Sequence, residues 1–221
     1  MKTKTLKWLS LIVIAVLSMG FASCGDESDS DSDSDSSSIS GSINGYDYVD
    51  LGLSVKWATC NVGASSPEDY GDYYAWGETE IKSEYTETNY KHYNKSLKKY
   101  NYIGSDISGT NYDVAYVKWG NSWRMPTLDE FKELINECTW KSTIHNGIKC
   151  QCVTGPNGKS IYIPGYDFYN EGSPSVGQYW TATFSERWEH EAYYIYSVIG
   201  GTQAVFGSSR YKGFPVRPVT E

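Results

Sequence analysis

The sequence predicts an α+β domain with a mainly antiparallel sheet, short helices and long loops. Its apolar residues occur in short runs, several of which alternate with polar residues at a period of two, as half-buried strands do. Glycine, asparagine and proline separate these runs, and only one stretch has a clear helical spacing of apolar residues. Strands and helices do not alternate regularly, as they would in a parallel sheet. With 39% hydrophobic and 15% aromatic residues, the chain of 221 residues can build one substantial core.

The first half of the domain is predicted to contain two strands followed by a long loop. Residues 46–51 and 55–59 alternate apolar and polar side chains, which is typical of strands. Residues 78–112 are polar, rich in tyrosine and without a clear period. We therefore predict a long loop region with little regular structure there.

The second half is predicted to begin with a helix and to continue as hairpins. Thr127 and Glu130 have the spacing of a capping box, directly after Pro126, and the apolar residues that follow share one helix face. Gly155-Pro156-Asn157-Gly158 and Gly200-Gly201 are typical hairpin turns. The predicted strands of this half are 148–154, 160–163, 179–184, 192–199, 202–206 and 216–219.

The N-terminus has the layout of a secretory signal peptide over residues 1–23. Three lysines precede an apolar stretch at residues 8–17, which is too short to span a membrane. The sequence Phe21-Ala22-Ser23-Cys24 resembles the lipobox of bacterial lipoproteins, in which the cysteine is acylated and becomes the mature N-terminus. The resemblance implies a lipid anchor at Cys24, since two or more acyl chains hold a protein stably on a membrane.

Residues 24–42 are predicted to be a disordered tether between this anchor and a single domain, residues 43–221. Serine and aspartate alternate after Cys24, so like charges repel and little can be buried. An acidic segment at this place also resembles the export signal of surface lipoproteins in Bacteroidota-type bacteria. That resemblance implies the outer membrane and exposure at the cell surface, whereas a simple solvated spacer is the alternative.

The charge balance argues against a nucleic-acid partner. Residues 39–221 carry 16 basic and 21 acidic side chains, a net charge of −5, without a basic stripe. The chain also lacks the Gly-x-Ser-x-Gly and His-Glu-x-x-His motifs and a phosphate-binding glycine loop. We therefore predict no catalytic residues, no metal site and no cofactor.

Four strings in the domain together resemble a known family. They are residues 48–63 (YVDLGLSVKWATCNVG), 73–78 (YYAWGE), 123–127 (WRMPT) and 216–219 (VRPV). In this order they are similar to the Fibrobacter succinogenes major paralogous domain family, common in lipoproteins of gut Bacteroidota. The resemblance covers about residues 46–219 and implies a C-type-lectin-like fold related to that of formylglycine-generating enzymes. It implies no reaction.

The four cysteines after Cys24 allow two disulfides outside the cytoplasm. Cys60 lies in one of the family strings and Cys138 ends the predicted helix, so we predict a disulfide between these two. Cys150 and Cys152 are two residues apart on one strand, where a disulfide would be strained, and are predicted to be buried thiols.

Two arginines in the family strings are predicted to be structural. Arg124 could serve as an anion clamp, but its position before the helix favours a structural role. Arg217, in the predicted closing strand, is expected to be a partly buried ion-pair residue.

Aromatic side chains in polar loops are the candidate ligand-binding residues. Trp188, Tyr169 and Tyr85 stand in such loops, where rigid rings suit stacking on sugars or protein surfaces. Chance exposure in a tyrosine-rich chain is the alternative. The tryptophans predicted to lie mostly in the core are Trp76, Trp119, Trp123, Trp140 and Trp180.

These observations predict a cell-surface lipoprotein with a non-catalytic domain that binds a glycan or a surface protein. A structural or fimbria-associated surface protein is the first alternative. An enzyme on a scaffold like that of the formylglycine-generating enzymes is the second. Those enzymes use a pair of cysteines near the C-terminal end, whereas the last cysteine here is Cys152.

Overall fold

The computed structural model describes residues 39–165 and 176–221. The predicted signal peptide, Cys24, the tether up to residue 38 and Tyr169 lie outside the described residues. Within the described ranges, no helix combines the length and the apolar character needed to cross a membrane.

The described residues form twelve strands, two α-helices and a 3₁₀ turn at Glu87–Asn89, and every strand pair is antiparallel. The helices are α1 (Val114–Trp119) and α2 (Leu128–Glu137). The strands are β1 (Gly41–Ile43), β2 (Tyr46–Val49), β3 (Lys56–Ala58), β4 (Tyr93–Asn94), β5 (Lys99–Tyr100), β6 (Thr139–His145), β7 (Ile148–Thr154), β8 (Ser160–Pro164), β9 (Val176–Phe184), β10 (Glu191–Val198), β11 (Gln203–Ser209) and β12 (Val219–Thr220). The predicted antiparallel sheets and short helices are confirmed, and this architecture is consistent with the predicted α+β class or with a mainly β class.

The first sheet has the strand order β1-β2-β3-β12, so it joins the beginning and the end of the domain. The ordered domain begins earlier than residue 43, because β1 pairs with β2 from Gly41 onward and the Ser40 hydroxyl accepts a hydrogen bond from the Asp50 N–H at 2.8 Å. The closing strand is shorter than predicted and contains only Val219 and Thr220.

Two three-stranded sheets, β6-β7-β8 and β11-β10-β9, form the second half of the domain. The predicted hairpins through Gly155 and Gly200 are confirmed as the β7–β8 and β10–β11 pairs. Strand β6 and the six-residue helix α1 were not predicted, because neither carries a long enough apolar pattern. The region 78–112 is largely irregular, as predicted, with only the 3₁₀ turn and the two-residue strands β4 and β5.

Helix α2 begins as its capping box predicts. The Thr127 hydroxyl accepts a hydrogen bond from the Glu130 N–H, and the Glu130 carboxylate accepts one from the Thr127 N–H at 2.7 Å. Arg124 donates to both Glu130 carboxylate oxygens at 2.8 and 2.6 Å and to Glu221 at 2.8 Å. The structural role predicted for Arg124 therefore has a geometric basis: it joins the helix start to the chain end.

The core consists of two clusters of buried side chains. One is built around Trp76, Trp123 and Trp180, and the other around Trp57 and Phe131, whose ring centres are 5.0 Å apart. Trp119 is also buried, whereas Trp140 is only partly buried and donates from its indole N–H to the Leu134 carbonyl near the end of α2. The prediction of tryptophan positions is thus right for four of five.

Arg217 is fully buried, and no carboxylate of the described residues lies within ion-pair distance of it, so the ion-pair prediction is wrong. Its guanidinium instead donates to the Asn61 side-chain oxygen at 2.7 Å. It also donates to the backbone carbonyls of Ala58, Thr59 and Tyr162. Burial lowers the pKa of Arg217. The acceptors satisfy the hydrogen-bonding needs of its planar donor group, and through them Arg217 joins β3 to β8.

Candidate functional site

A cleft of about 490 Å³ opens where the end of β9 meets the start of α2 and the loop at Ser105. Backbone contacts fix its walls: the Phe184 N–H donates to the Ser105 carbonyl at 2.9 Å. The Leu128 N–H donates to the Thr183 hydroxyl at 3.0 Å, which ties the first turn of α2 to β9. The cleft therefore lies on regular elements and not on loops alone.

Three carboxylates line this cleft, and no lysine or arginine does. Asp106, Asp129 and Glu186 are all exposed. One Asp106 oxygen accepts a hydrogen bond from the Ser108 N–H at 2.8 Å, and one Asp129 oxygen contacts the Lys132 ammonium at 2.9 Å. No described residue donates a hydrogen bond to the second oxygen of either carboxylate, so the wall presents several hydrogen-bond acceptors.

Two aromatic rings also line the cleft, and a third adjoins it. Phe184 and Tyr193 line the cleft, and Tyr102, whose side chain is 69% exposed, contacts Phe184 edge-on with ring centres 5.8 Å apart. Outside the cleft lining, Trp188 and His190 have ring centres 6.2 Å apart. We call the surface formed by the three carboxylates, Phe184, Tyr193 and the adjoining Tyr102 the acidic–aromatic cleft.

Tyr100 continues the row of rings from His190, with ring centres 6.1 Å apart. Its hydroxyl donates to the Glu87 carboxylate at 2.6 Å. Burial and the neighbouring Glu87 charge raise the pKa of Tyr100 well above its ordinary value, so this hydroxyl stays protonated and bound to Glu87. Only the ring of Tyr100 is available to a ligand.

Arg210 lies beneath the row of rings and is 1% exposed. Its guanidinium carbon is 4.9–5.7 Å from the centres of four rings, which are Trp76, Tyr90, Tyr100 and Phe184. It donates to the Asn101 carbonyl from both terminal nitrogens at 3.1 Å and to the Glu189 carbonyl at 3.2 Å. One buried cation thus joins the segment before Tyr102 to the loop that carries Trp188.

The three residues predicted from the sequence to bind a ligand differ in where they lie. Trp188 is 53% exposed and lies near His190, but it is not among the residues that line the cleft. Tyr85 does not line the cleft: its hydroxyl donates to the Tyr73 carbonyl, and its ring lies against Gly213, where an added Cβ would collide with it. Tyr169 lies outside the described residues.

Sequence reasoning missed Tyr102, Asp106 and Arg210. Tyr102 satisfies the criterion that selected Trp188, an aromatic ring in a polar loop, and could have been found with it. Nothing in the sequence marks Arg210 or Asp106, because their neighbours come from distant parts of the chain.

The four described cysteines are free thiols, so the predicted disulfide between Cys60 and Cys138 is not formed. Cys138 caps the end of α2 beside the second core cluster, whereas Cys60 follows β3 and lines another cavity, of about 240 Å³, next to Tyr162. Burial raises the pKa of Cys138 and of Cys150 to about 11, so both remain protonated at neutral pH.

No group of three or more histidine, cysteine, aspartate or glutamate side chains in the described ranges is arranged to hold a metal ion. Comparisons of the chain with protein-family models, curated proteins and solved structures find no match.

Proposed function

We propose that the domain binds a carbohydrate, without catalysing a reaction, in the acidic–aromatic cleft. The observation that carries this proposal is the pairing of exposed rings with carboxylates that have unused acceptor positions. A pyranose ring has an apolar face that stacks on aromatic rings and hydroxyl groups that donate to carboxylates. Tyr102 supplies such a ring against Phe184, which lines the cleft together with Asp106 and Glu186.

The size of the cleft favours a glycan over a protein surface as the ligand. Small-molecule sites have volumes of ~300–1,000 Å³, and this cleft of about 490 Å³ falls in that range. A stable protein interface buries roughly 800 Å² on each partner and has few charged groups at its centre, unlike this wall with three carboxylates.

The cleft belongs, in this proposal, to a C-type-lectin-like fold. Two features support that: the first and last strands share one sheet, and a long irregular region carries Tyr102 and Asp106 beside the paired strands. We also propose that acylated Cys24 attaches the chain to the outer membrane, with the acidic tether extending the domain from the cell surface.

Glycan-array binding of the purified chain tests the ligand class. We expect binding to a defined group of neutral or amine-bearing glycans, because an anionic glycan would face three carboxylates. An empty array, or binding confined to anionic glycans, would contradict the proposed site.

The location is tested separately with Cys24→Ser. We expect this variant to leave the membrane fraction, or to remain unprocessed, while the folded domain is unchanged. Protease added to intact cells should remove the domain of the unmodified chain. Protection in intact cells and digestion after rupture of the outer membrane would place the domain in the periplasm instead.

A further inference from the structure

A row of four rings lies outside the lining of the acidic–aromatic cleft. Its ring centres are 6.2 Å apart between Trp188 and His190, 6.1 Å between His190 and Tyr100, and 5.1 Å between Tyr100 and Tyr93. We call these four rings the aromatic row. Because neighbouring rings are this close, the row offers consecutive contact sites to a ligand that is itself a chain of units.

The buried Arg210 holds the two halves of the aromatic row together. Its guanidinium donates to the Asn101 carbonyl, next to Tyr100, and to the Glu189 carbonyl, next to His190. Its backbone N–H donates to the His190 carbonyl at 2.8 Å. Rings that are fixed before a ligand arrives lose little conformational entropy on binding, so the row is preorganised.

The hairpin of β4 and β5, which carries two of these rings, is strongly basic. Residues 88–105 contain four lysines and no acidic residue, whereas the remainder of residues 39–221 has 12 basic and 21 acidic side chains. All four lysines are exposed, and no carboxylate in the described part of the chain lies within ion-pair distance of their ammonium groups. The hairpin is therefore a local cationic surface on an anionic domain. The lysines are Lys91, Lys95, Lys98 and Lys99.

These charges adjoin one end of the aromatic row. Lys91 and Lys95 are each two residues from Tyr93, and Lys99 directly precedes Tyr100. Since consecutive Cα atoms are only ~3.8 Å apart, the lysines lie close to this pair of rings.

Acidic side chains distinguish the two ends of the row. At the hairpin end, four lysines stand against the carboxylate of Glu87, which already accepts the Tyr100 hydroxyl at 2.6 Å. At the other end, the Glu191 carboxylate lies 3.9 Å from the His190 ring nitrogen, and Glu189 follows Trp188 in the chain. The anionic groups of a ligand are therefore attracted to the hairpin end.

We infer that the aromatic row and the basic hairpin form a second binding site, which takes a glycan chain bearing carboxylate groups. The apolar faces of its sugars stack on the rings, and its carboxylates pair with the lysines. Single-stranded nucleic acid also stacks on rings, but it carries a phosphate charge at every nucleotide, which a domain with a net charge of −5 disfavours. The inference does not depend on the ligand of the acidic–aromatic cleft, because the two sites share no residue.

Titration calorimetry of the full chain purified in detergent tests this site with two matched ligands. Oligogalacturonate is a chain of uronic acids, and its methyl ester has the same sugars without the charges. We expect the acid form to bind, to bind more weakly as the salt concentration rises, and to bind more tightly than the ester.

Three variants assign the binding to the row and the hairpin. Trp188→Ala should raise the Kd for oligogalacturonate about three- to tenfold, because one stacking ring is lost. Lys99→Gln should raise it roughly two- to fivefold and make it less dependent on salt. Lys141→Gln removes an equally charged, exposed lysine on β6 and should bind as the unmodified chain does.

The same titrations can overturn the inference. Absence of binding to oligogalacturonate, equal affinity for its methyl ester, or an equal loss in Lys141→Gln would each contradict the second site. Tighter binding of oligothymidylate would assign the surface to nucleic acid instead. A loss in Tyr102→Ala without one in Trp188→Ala would move the acidic glycan to the acidic–aromatic cleft. Failure of the cleft proposal is distinguishable, because it concerns neutral or amine-bearing glycans.

Discussion

Replacing Arg210 tests whether this buried cation holds the segment before Tyr102 against the loop that carries Trp188. In Arg210→Met, the side chain keeps its apolar stem but loses every donor and the charge. The carbonyls of Asn101 and Glu189 then lose their hydrogen bonds. Four surrounding rings also lose a cation at 4.9–5.7 Å.

The expected cost follows from these contacts. Hydrogen bonds to a charged donor contribute ~1.5–3 kcal/mol each, and two carbonyls are affected, which gives about 3–6 kcal/mol. A desolvated cation–π contact adds ~2 kcal/mol. Burying a cation without a carboxylate partner also has a desolvation cost of several kcal/mol, and the uncharged variant avoids part of this cost. We therefore expect Arg210→Met to lower the free energy of unfolding by about 3 kcal/mol, a large part of the ~5–15 kcal/mol typical of a domain.

Urea unfolding followed by tryptophan fluorescence measures this change. Arg210→Lys is the matched variant, because it keeps the charge but cannot bind both carbonyls with a planar donor group. We expect Lys to restore only a minor part of the loss. A decrease below about 1 kcal/mol for Arg210→Met would refute the assigned role, since it is less than one such hydrogen bond contributes.

Further predictions concern charge, burial and thiols. Burial opposes ionisation of Glu130, but hydrogen bonds from Arg124 and Thr127 outweigh it and hold its pKa below the ordinary value. The resulting stabilisation exists above pH ~4.3 and is lost as the pH falls through the lowered pKa. Glu130→Gln should therefore lower the free energy of unfolding by ~2 kcal/mol at pH 7 and by progressively less in acid. A difference in unfolding free energy between the two proteins that does not depend on pH would refute this. Arg217→Lys should lower the free energy of unfolding by ~3 kcal/mol in the same urea assay, because several carbonyl acceptors lose their donors. An unchanged urea midpoint would be incompatible with the observed contacts. Alkylation of the denatured domain without a reductant should modify all four of its cysteines, as measured by mass, and two adducts instead of four would mean that a disulfide forms. Trp188→Ala should change the free energy of unfolding by less than ~0.5 kcal/mol, because its side chain is 53% exposed, and a larger loss of stability would assign it to the core.

The parts of the fold that the sequence predicts well depend on local contacts. Thr127 and Glu130 cap helix α2 across three residues, and the hairpin turn at Gly155 joins strands that are neighbours in the chain. Helix α1, in contrast, has six residues and is positioned by Asp113, which accepts hydrogen bonds from N–H groups as distant as that of Met125. Too few apolar positions occur in six residues to reveal a helical period.

The candidate site could be predicted only where exposure follows from neighbouring residues. Trp188 lies among charged residues, so its exposure could be expected from the sequence. Tyr85 has an equally polar sequence context, but a carbonyl twelve residues away binds its hydroxyl. Arg210 binds a carbonyl 109 residues away, and the acceptors of Arg217 lie up to 159 residues away. Such contacts depend on the complete fold, and a local pattern cannot reveal them.

The most direct test of the proposed function is a titration that compares two equally exposed side chains. Tyr102 and Ile144 are both 69% exposed, but only Tyr102 lies at the acidic–aromatic cleft. With the glycan that gives the strongest array signal, Tyr102→Ala should weaken binding by ~1 kcal/mol, roughly fivefold in Kd, because one stacking ring is lost. Ile144→Ala should bind as the unmodified chain does. Equal affinity of both variants, or a loss only in Ile144→Ala, would contradict the assignment of the ligand to this cleft.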